Sequence, residues 1–447
     1  MEPSTRGHRL RYRRPARTAR YRTAAVLLAA VLPAVAGALL LHVLWPTHWV
    51  REGGGCRWLV LADSPALVAV GLVELFVLAH AVAVAYALAV ARDPVPVAPE
   101  PGTGLALLVA YVPGRDALPA VRATLAAAVR VRHPGPLDVW LLDEGDDPEA
   151  RMLCAELGVH HFTRRGVPEW NRGTGPHRAG TERGNVNAWL AKHGDAYDLV
   201  ACAAAGRRPG PDALERRTGW FRDPDVAFVV GPRSCADGAP GAPGPLSGPL
   251  VQRAGNRHGA PLLDDGDPVL RVAALRQAGG FRDSVTGATA TGFEIHRLRN
   301  PRTGRYWRSV RAADARGDEE ASAPWTDPAA RRSRRAYGTL LRQYGKALFR
   351  VPPGRLVGYT LTLARGPVTG AMCFLGAVGC LAALTHAHQR IWAVLALLAA
   401  LAPLVPRSTA LLRGRAARPA PGRTRAASPA PQPGGTPAAA GSPAGRD

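Results

Sequence analysis

Residues 24–44 (AAVLLAAVLPAVAGALLLHVL) contain no charged side chain. About 20 apolar residues wound as a helix cross a hydrocarbon layer of about 30 Å, so this stretch constrains the chain more than any other feature. Residues 65–91 form a second apolar stretch, interrupted by Glu74 and His80. Residues 366–384 and 391–405 form a third and a fourth, with His386, His388 and Arg390 between them. The spacing predicts two membrane helices before a polar middle and a membrane hairpin after it.

Arginine placement orients these helices. The first 22 residues carry eight Arg and one acid, Glu2, whereas residues 45–64 carry only Arg51 and Arg57. Cytoplasmic flanks hold the excess of positive charge. The N-terminus, the polar middle and the tail after residue 406 are therefore expected in the cytoplasm of a multi-pass plasma-membrane protein, with lipid as one partner. Trp45, Trp49, Trp58 and Trp392 fall near span ends, where aromatic side chains collect. Ala34-Val35-Ala36 resembles a signal-peptidase site, but the apolar run is too long for a signal sequence and a second span follows. Glu74 is expected to face neighbouring helices, because a carboxylate in lipid is costly.

Composition excludes other classes. The formal charge is +23, from 57 Lys+Arg against 34 Asp+Glu. The densest arginine runs flank the apolar stretches, where they meet anionic lipid. No basic motif interleaved with aromatics and no zinc-finger spacing occurs, so nucleic acid is not expected as a partner. Six scattered Cys in 447 residues, with no CxxC pair, exclude a disulfide-stapled miniprotein and a zinc ribbon. The expected organisation is a basic N-terminus (1–22), two membrane helices (23–92), a cytoplasmic domain (93–345), an interfacial connection (346–365), two membrane helices (366–406) and a tail (407–447). The tail is rich in Arg, Pro, Ala and Gly and too poor in apolar residues to fold.

Within the middle, short apolar runs alternate with helical stretches. Strands are expected at 105–112, 137–142, 159–162, 199–203 and 226–231, and helices at 118–130, 148–157, 185–193 and 211–221. This alternation predicts an α/β domain with a mostly parallel sheet and helices on both faces. Ligands in such sheets sit beyond the carboxyl ends of the strands, which directs attention to Asp143 and to the residues just after Ala203.

The segment LDVWLLDEGDDPEARMLCAELGVHHFTR, from Leu137, resembles the nucleotide-binding part of family-2 inverting glycosyltransferases of the cellulose-synthase type, where a strand ends in Asp-Asp-Gly. Gly184-Asn185-Val186-Asn187 resembles that family's Lys-Ala-Gly-Asn-Leu-Asn segment. DLVACAAAGRRPGPDALER, from Asp198, resembles the strand that carries its metal-binding Asp-x-Asp. VLRVAALRQAGGFRDSVTGATATGFEIHR, from Val269, resembles the stretch around its Thr-Glu-Asp. RRSRRAYGTLLRQYG, from Arg331, resembles its Gln-x-x-Arg-Trp block. The resemblance covers residues 20–405. It implies a glycosyltransferase A-type nucleotide-binding domain inserted between pairs of transmembrane helices, with a UDP-sugar as ligand. Asp143, Gly184, Asn185, Asn187 and Arg334 are the matching nucleotide-sugar positions.

Several positions depart from the pattern. Ala204-Ala205-Gly206 stands where the resemblance requires Asp-x-Asp, and neither Ala204 nor Gly206 offers the oxygen that a hard cation needs. Family members would use Mg2+ or Mn2+; with these ligands missing, the expectation is no cofactor. Thr286-Gly287-Ala288 stands where Thr-Glu-Asp belongs, and Ala288 cannot act as the base. Arg331 and Arg335 replace the Gln and Trp of the last block. Glu182 occupies the Lys position, and Tyr111-Val112-Pro113-Gly114-Arg115 replaces Pro-Thr-Tyr-Asn-Glu. Asp283, Glu294 and the cluster Asp264-Asp265-Gly266-Asp267 are read as solvated loop acids. His160-His161 and His296, which lack ligand spacing, are read as surface or half-buried histidines.

The expected function is that of a cellulose-synthase-like membrane protein that has lost transfer chemistry and serves beside an active synthase or export partner. Two alternatives stand beside it. One is a divergent, metal-independent enzyme using Arg207, Arg208, Arg331 and Arg334. The other is an export accessory whose soluble domain is vestigial.

Overall fold

The computed structural model describes residues 8–13, 31, 34, 37–38, scattered positions within 68–90, then 91–231, 249–263, 268–283, 287–312, 351–352, 354–356 and 359. Among the described residues no helix is long and apolar enough to cross a membrane. Most of the four expected spans, the tail, Glu74, Asp264–Asp267, Thr286 and Arg331–Arg335 lie outside the described residues.

The domain is built on β3 (Leu105–Tyr111), whose seven residues are all buried. Successive strand side chains point to opposite faces, so β3 feeds two cores. Leu105, Leu107, Val109 and Tyr111 pack with α1 (Leu118–Ala128) and α2 (Pro148–Leu157) on one face. Ala106 and Leu108 pack with α3 (Glu182–His193) on the other. An apolar run without alternation is what a strand covered on both faces requires.

Helix ends follow local chemistry. Asp147 caps α2 by accepting from the Glu149 N–H at 2.9 Å, and Gly158 ends the helix at φ 65°. Thr181 caps α3 by accepting from the Gly184 N–H at 3.1 Å, while Lys192 and His193 occupy its last turn. The sequence start of α3 at residue 185 is three residues late, because Thr181 rather than the first apolar residue sets it.

Among the described residues, seven strands order as β5-β4-β3-β6-β8-β7-β9, with β4 (Leu137–Asp143), β5 (His160–Thr163), β6 (Leu199–Ala204), β7 (Val226–Val230), β8 (Val269–Arg271) and β9 (Arg308–Arg311). The first four are mutually parallel, as are β7 and β9, and β8 runs antiparallel to both β6 and β7. The sheet is thus mostly parallel, with one reversed strand that the periodicity did not reveal. In register, Tyr111 lies opposite Asp143 and Ala110 opposite Ala204, which sets the carboxyl ends of β3, β4 and β6 along one edge. A separate pair joins β1 (Tyr12–Arg13) to β2 (Asp93–Pro94).

The helix expected at 211–221 is broken into a single turn, α4 (Glu215–Thr218), and a 3-10 turn over Gly219–Arg222. Here packing overrides periodicity. A Cβ on Gly219 would stand 1.7 Å from the Val97 carbonyl oxygen, and the Trp220 indole donates to the Val95 carbonyl at 2.9 Å. The segment follows the strap at 95–98 rather than a regular helix.

Candidate nucleotide-sugar site

β4 delivers Asp143 to the carboxyl edge with no exposed surface. Its carboxylate accepts from the Gly145 N–H at 2.9 Å, the Asp147 N–H at 2.6 Å and the His161 Nε2–H at 3.1 Å. Gly145 is required there, since a Cβ would stand 2.4 Å from Pro113 Cγ. Asp146 follows at φ 57° and pairs with Arg151. That arginine holds the Asp146 carboxyl below its usual range. The Tyr111 hydroxyl donates to Asp147 at 3.0 Å, and burial, then Asp147, push its pKa up to about 12. Burial, with the Asp143 charge behind it, pushes the Cys154 thiol up to about 11, so this cysteine is no nucleophile.

Glu144 forms the second structure at this edge. Arg164, whose side chain is fully buried, donates to both its oxygens at 2.8 and 2.7 Å. The same guanidinium donates to the carbonyls of Trp170 at 2.6 Å, Arg178 at 2.8 Å, His177 at 3.3 Å and Thr181 at 3.4 Å. The Gly180 N–H returns to Glu144 at 2.6 Å. The loop between β5 and α3 is therefore wound around one cation, a role that Arg's planar fork suits and Lys could not fill.

The sequence-derived residues divide into groups. Gly184 sits in the first turn of α3, where a Cβ would stand 2.2 Å from the Arg178 carbonyl oxygen. Asn187 gives its amide to the carbonyls of Pro176 at 2.6 Å and Phe281 at 2.9 Å and accepts from the Phe281 N–H at 2.7 Å. Its side chain ties the loop to the segment before α5 (Gly287–Arg297) and has no amide hydrogen left for a ligand. Asn185 is fully buried, and neither atom of its amide has a hydrogen-bond partner among the described residues. Arg334 lies outside the described residues.

Ala204 ends β6, one strand removed from Asp143, and the Gly206 N–H donates to the Thr124 hydroxyl at 2.9 Å. Strand spacing of about 4.8 Å puts β6 roughly 10 Å from β4. Ala288 is buried in the first turn of α5. Asp283 lies 3.5 Å from Arg178 and accepts from the Gly175 N–H at 3.3 Å, while Glu294 pairs with Arg282 at 3.4 Å and with Arg297. Arg115 pairs with Asp116 at 3.1 Å and with Glu182 across the mouth of the edge.

Two expectations are corrected. The first is that no cation ligands exist. Asp143, Asp146 and His161 each bring one ligand atom into a group whose members lie within 4.8 Å of one another. Carboxylate and imidazole together are a donor set that divalent transition ions accept, so the absence of Asp-x-Asp does not remove the means of holding a cation. His161 was missed because it stands next to His160, and a pair of adjacent strand residues points to opposite faces. Register supplies the lost signal: Leu141 lies opposite His161, so His161 and Asp143 share one face. The second correction concerns His296, which is fully buried. Its Nε2 lies 2.9 Å from Ser309 Oγ and its Nδ1 2.7 Å from the Tyr359 hydroxyl.

No family model matches this chain. The chain is 27% identical over 220 residues to the cellulose synthase catalytic subunit (UDP-forming) of Xanthomonas axonopodis pv. citri (strain 306), a match covering 46% of this chain and 28% of that protein. The chain thus spans less than a third of that curated relative's length. Among solved structures it is similar to a mannosyltransferase from Pyrobaculum calidifontis in complex with GDP-Man and Mn2+, with TM-score 0.48 and 15% identity over 78% of this chain and 98% of the other. It is also similar to glucosyl-3-phosphoglycerate synthase from Mycobacterium tuberculosis in complex with Mn2+, UDP and glucosyl-3-phosphoglycerate, with TM-score 0.37 and 14% identity over 56% and 81% of the two chains.

Proposed function

We propose that this chain is a membrane-embedded, cellulose-synthase-like protein of glycosyltransferase A type. It binds a nucleotide-sugar of the UDP class at the carboxyl edge of β3, β4 and β6 and is impaired in sugar transfer. The observation that carries this reading is the register that aligns Tyr111, Asp143 and Ala204 along one edge, in the order the sequence blocks require. The match to a UDP-forming synthase supports the same class.

Impairment rests on the other side of the site. Position 288 is a buried alanine, and Glu294 is held between two arginines. A placed base contributes about 10²–10⁴-fold to proton removal. The arginine asymmetry around residues 24–91 supports a multi-pass plasma-membrane location with this domain in the cytoplasm. An active synthase or an export complex is the partner that such a protein would serve.

The test uses the full chain in lipid nanodiscs, with and without Mn2+. UDP is expected to bind, and Asp143→Ala is expected to weaken that binding at least tenfold. Release of UDP from UDP-glucose is expected to stay at the buffer rate. Absence of UDP binding overturns the nucleotide reading, and sustained UDP release overturns the impairment.

A further inference from the structure

We propose that Asp143, Asp146 and His161 form a binding site for one divalent cation of the manganese or zinc class. The site is held by the turn after β4 and the middle of β5 rather than by the Ala204–Gly206 position. The inference does not depend on the nucleotide reading, because the cation alone tests it.

Three observations converge. One is geometric. Asp143 Oδ2 and His161 Nε2 lie 3.1 Å apart, and two ligands at right angles on an ion with bonds of about 2.1 Å stand about 3.0 Å apart. Replacing the shared hydrogen with a metal ion therefore needs almost no movement of either side chain. Asp146 supplies the third atom within the same 4.8 Å group.

The second observation is a charge imbalance. Four carboxylates fall within residues 143–147. Glu144 is matched by Arg164 and Asp146 by Arg151, and Asp147 accepts from Tyr111 and caps α2. Asp143 is fully buried, yet it faces two backbone N–H groups and one imidazole, with no arginine or lysine in ion-pair contact among the described residues. Buried charges are paired or ligate metals, and this one lacks a fixed cation.

The third is ligand chemistry. Two carboxylates with one imidazole suit manganese or zinc better than calcium, which takes six to eight oxygens, or magnesium, which prefers oxygens alone. The Asp146 and His161 side chains keep 19% and 17% exposure, so water or an anionic ligand can complete the coordination shell. Arg151 competes for Asp146, with 56% of its own side chain exposed.

The experiment titrates the full chain in nanodiscs, stripped with EDTA, with Mn2+ or Zn2+ alone, by calorimetry and by loss of the free Mn2+ resonance signal. One ion per chain is expected. Asp146→Asn and His161→Gln, both on the partly exposed rim, should each weaken binding at least tenfold with the far-ultraviolet dichroism unchanged. Arg151→Ala should tighten binding about threefold by removing the competitor. Failure of both ions to bind saturably overturns the proposal. So does binding that survives both rim substitutions, or an Arg151→Ala variant that binds more weakly.

Discussion

The part of the sheet from β5 to β6 and the part from β8 to β9 use polar residues in opposite ways. In the first, Asp143, Glu144, Asp146, Asp147 and His161 gather at the carboxyl edge around a loop that one arginine organises. In the second, polar groups lie deep and are spent on the chain itself. The Ser309 hydroxyl donates to the Pro261 carbonyl at 2.7 Å, and Asn256 spans the carbonyls of Arg92 at 2.8 Å and Arg311 at 3.2 Å. Arg355 donates to the carbonyls of His296 at 2.9 Å and Trp307 at 2.8 Å. The first part keeps Asp146 and His161 partly exposed at its edge, whereas the second holds distant segments of its own chain.

The histidine at the centre of the second part shows this economy. The only hydroxyl hydrogen of Ser309 goes to Pro261, so His296 Nε2–H must donate to Ser309 and Nδ1 must accept from Tyr359. The ring is neutral and fully committed. Burial, then Arg355, holds its pKa well below the usual imidazole value.

The strongest test of the contrast is Arg164→Ala. It removes the fixed cation from Glu144, which keeps the Gly180 N–H, and takes away the donor to the Trp170 carbonyl; removing one partner of a buried ion pair costs about 3–5 kcal/mol. Chemical unfolding should show that loss, with new protease cleavage between residues 165 and 181. Next, His296→Ala should cost about 2–3 kcal/mol by leaving buried hydroxyls unmatched, without opening the 165–181 loop to protease. If both variants open the same loop, the two parts are one cooperative unit and the contrast fails.

Gly280→Ala probes the seam between the parts. Gly280 sits at φ 81°, and a Cβ would stand 2.4 Å from Asn187 Oδ1. Strain at such a position costs about 1–3 kcal/mol, read as a lowered unfolding midpoint.

Acidification gives a graded test. The folded state depresses the His296 pKa, so below the unfolded value of about 6.5 the unfolded chain binds the extra proton. Stability is complete above that pH and falls as the pH drops toward the depressed folded value, by at most about 1.4 kcal/mol per pH unit for this residue. His296→Gln should flatten the slope between pH 6.5 and 5. The smallest effect belongs to Arg122→Ala, whose partner Glu156 is 2.5 Å away while both side chains are more than half exposed. Its unfolding midpoint should match that of the parent chain.

β3 and β6 were legible because each is an apolar run bounded by turn residues, and a strand covered on both faces cannot look otherwise. The reversed β8 was not, since three residues carry no directional signal. The helix at 211–221 misled because its apolar spacing serves contact with residues 95–98, which no local window contains. Of the site, Asp143 could be read from its place after a strand. The Glu144–Arg164 pair and His161 depend on which residues of neighbouring strands share a face, information that register holds and sequence spacing does not. Asn187 was found, but its amide binds the protein's own backbone.

The pairing of Tyr12–Arg13 with Asp93–Pro94 has a topological consequence. It fastens the base of the intervening segment, so residues 14–92 form a closed loop whose two feet stand one strand spacing apart, about 4.8 Å. Whatever that loop does, it departs from and returns to a single point on the domain.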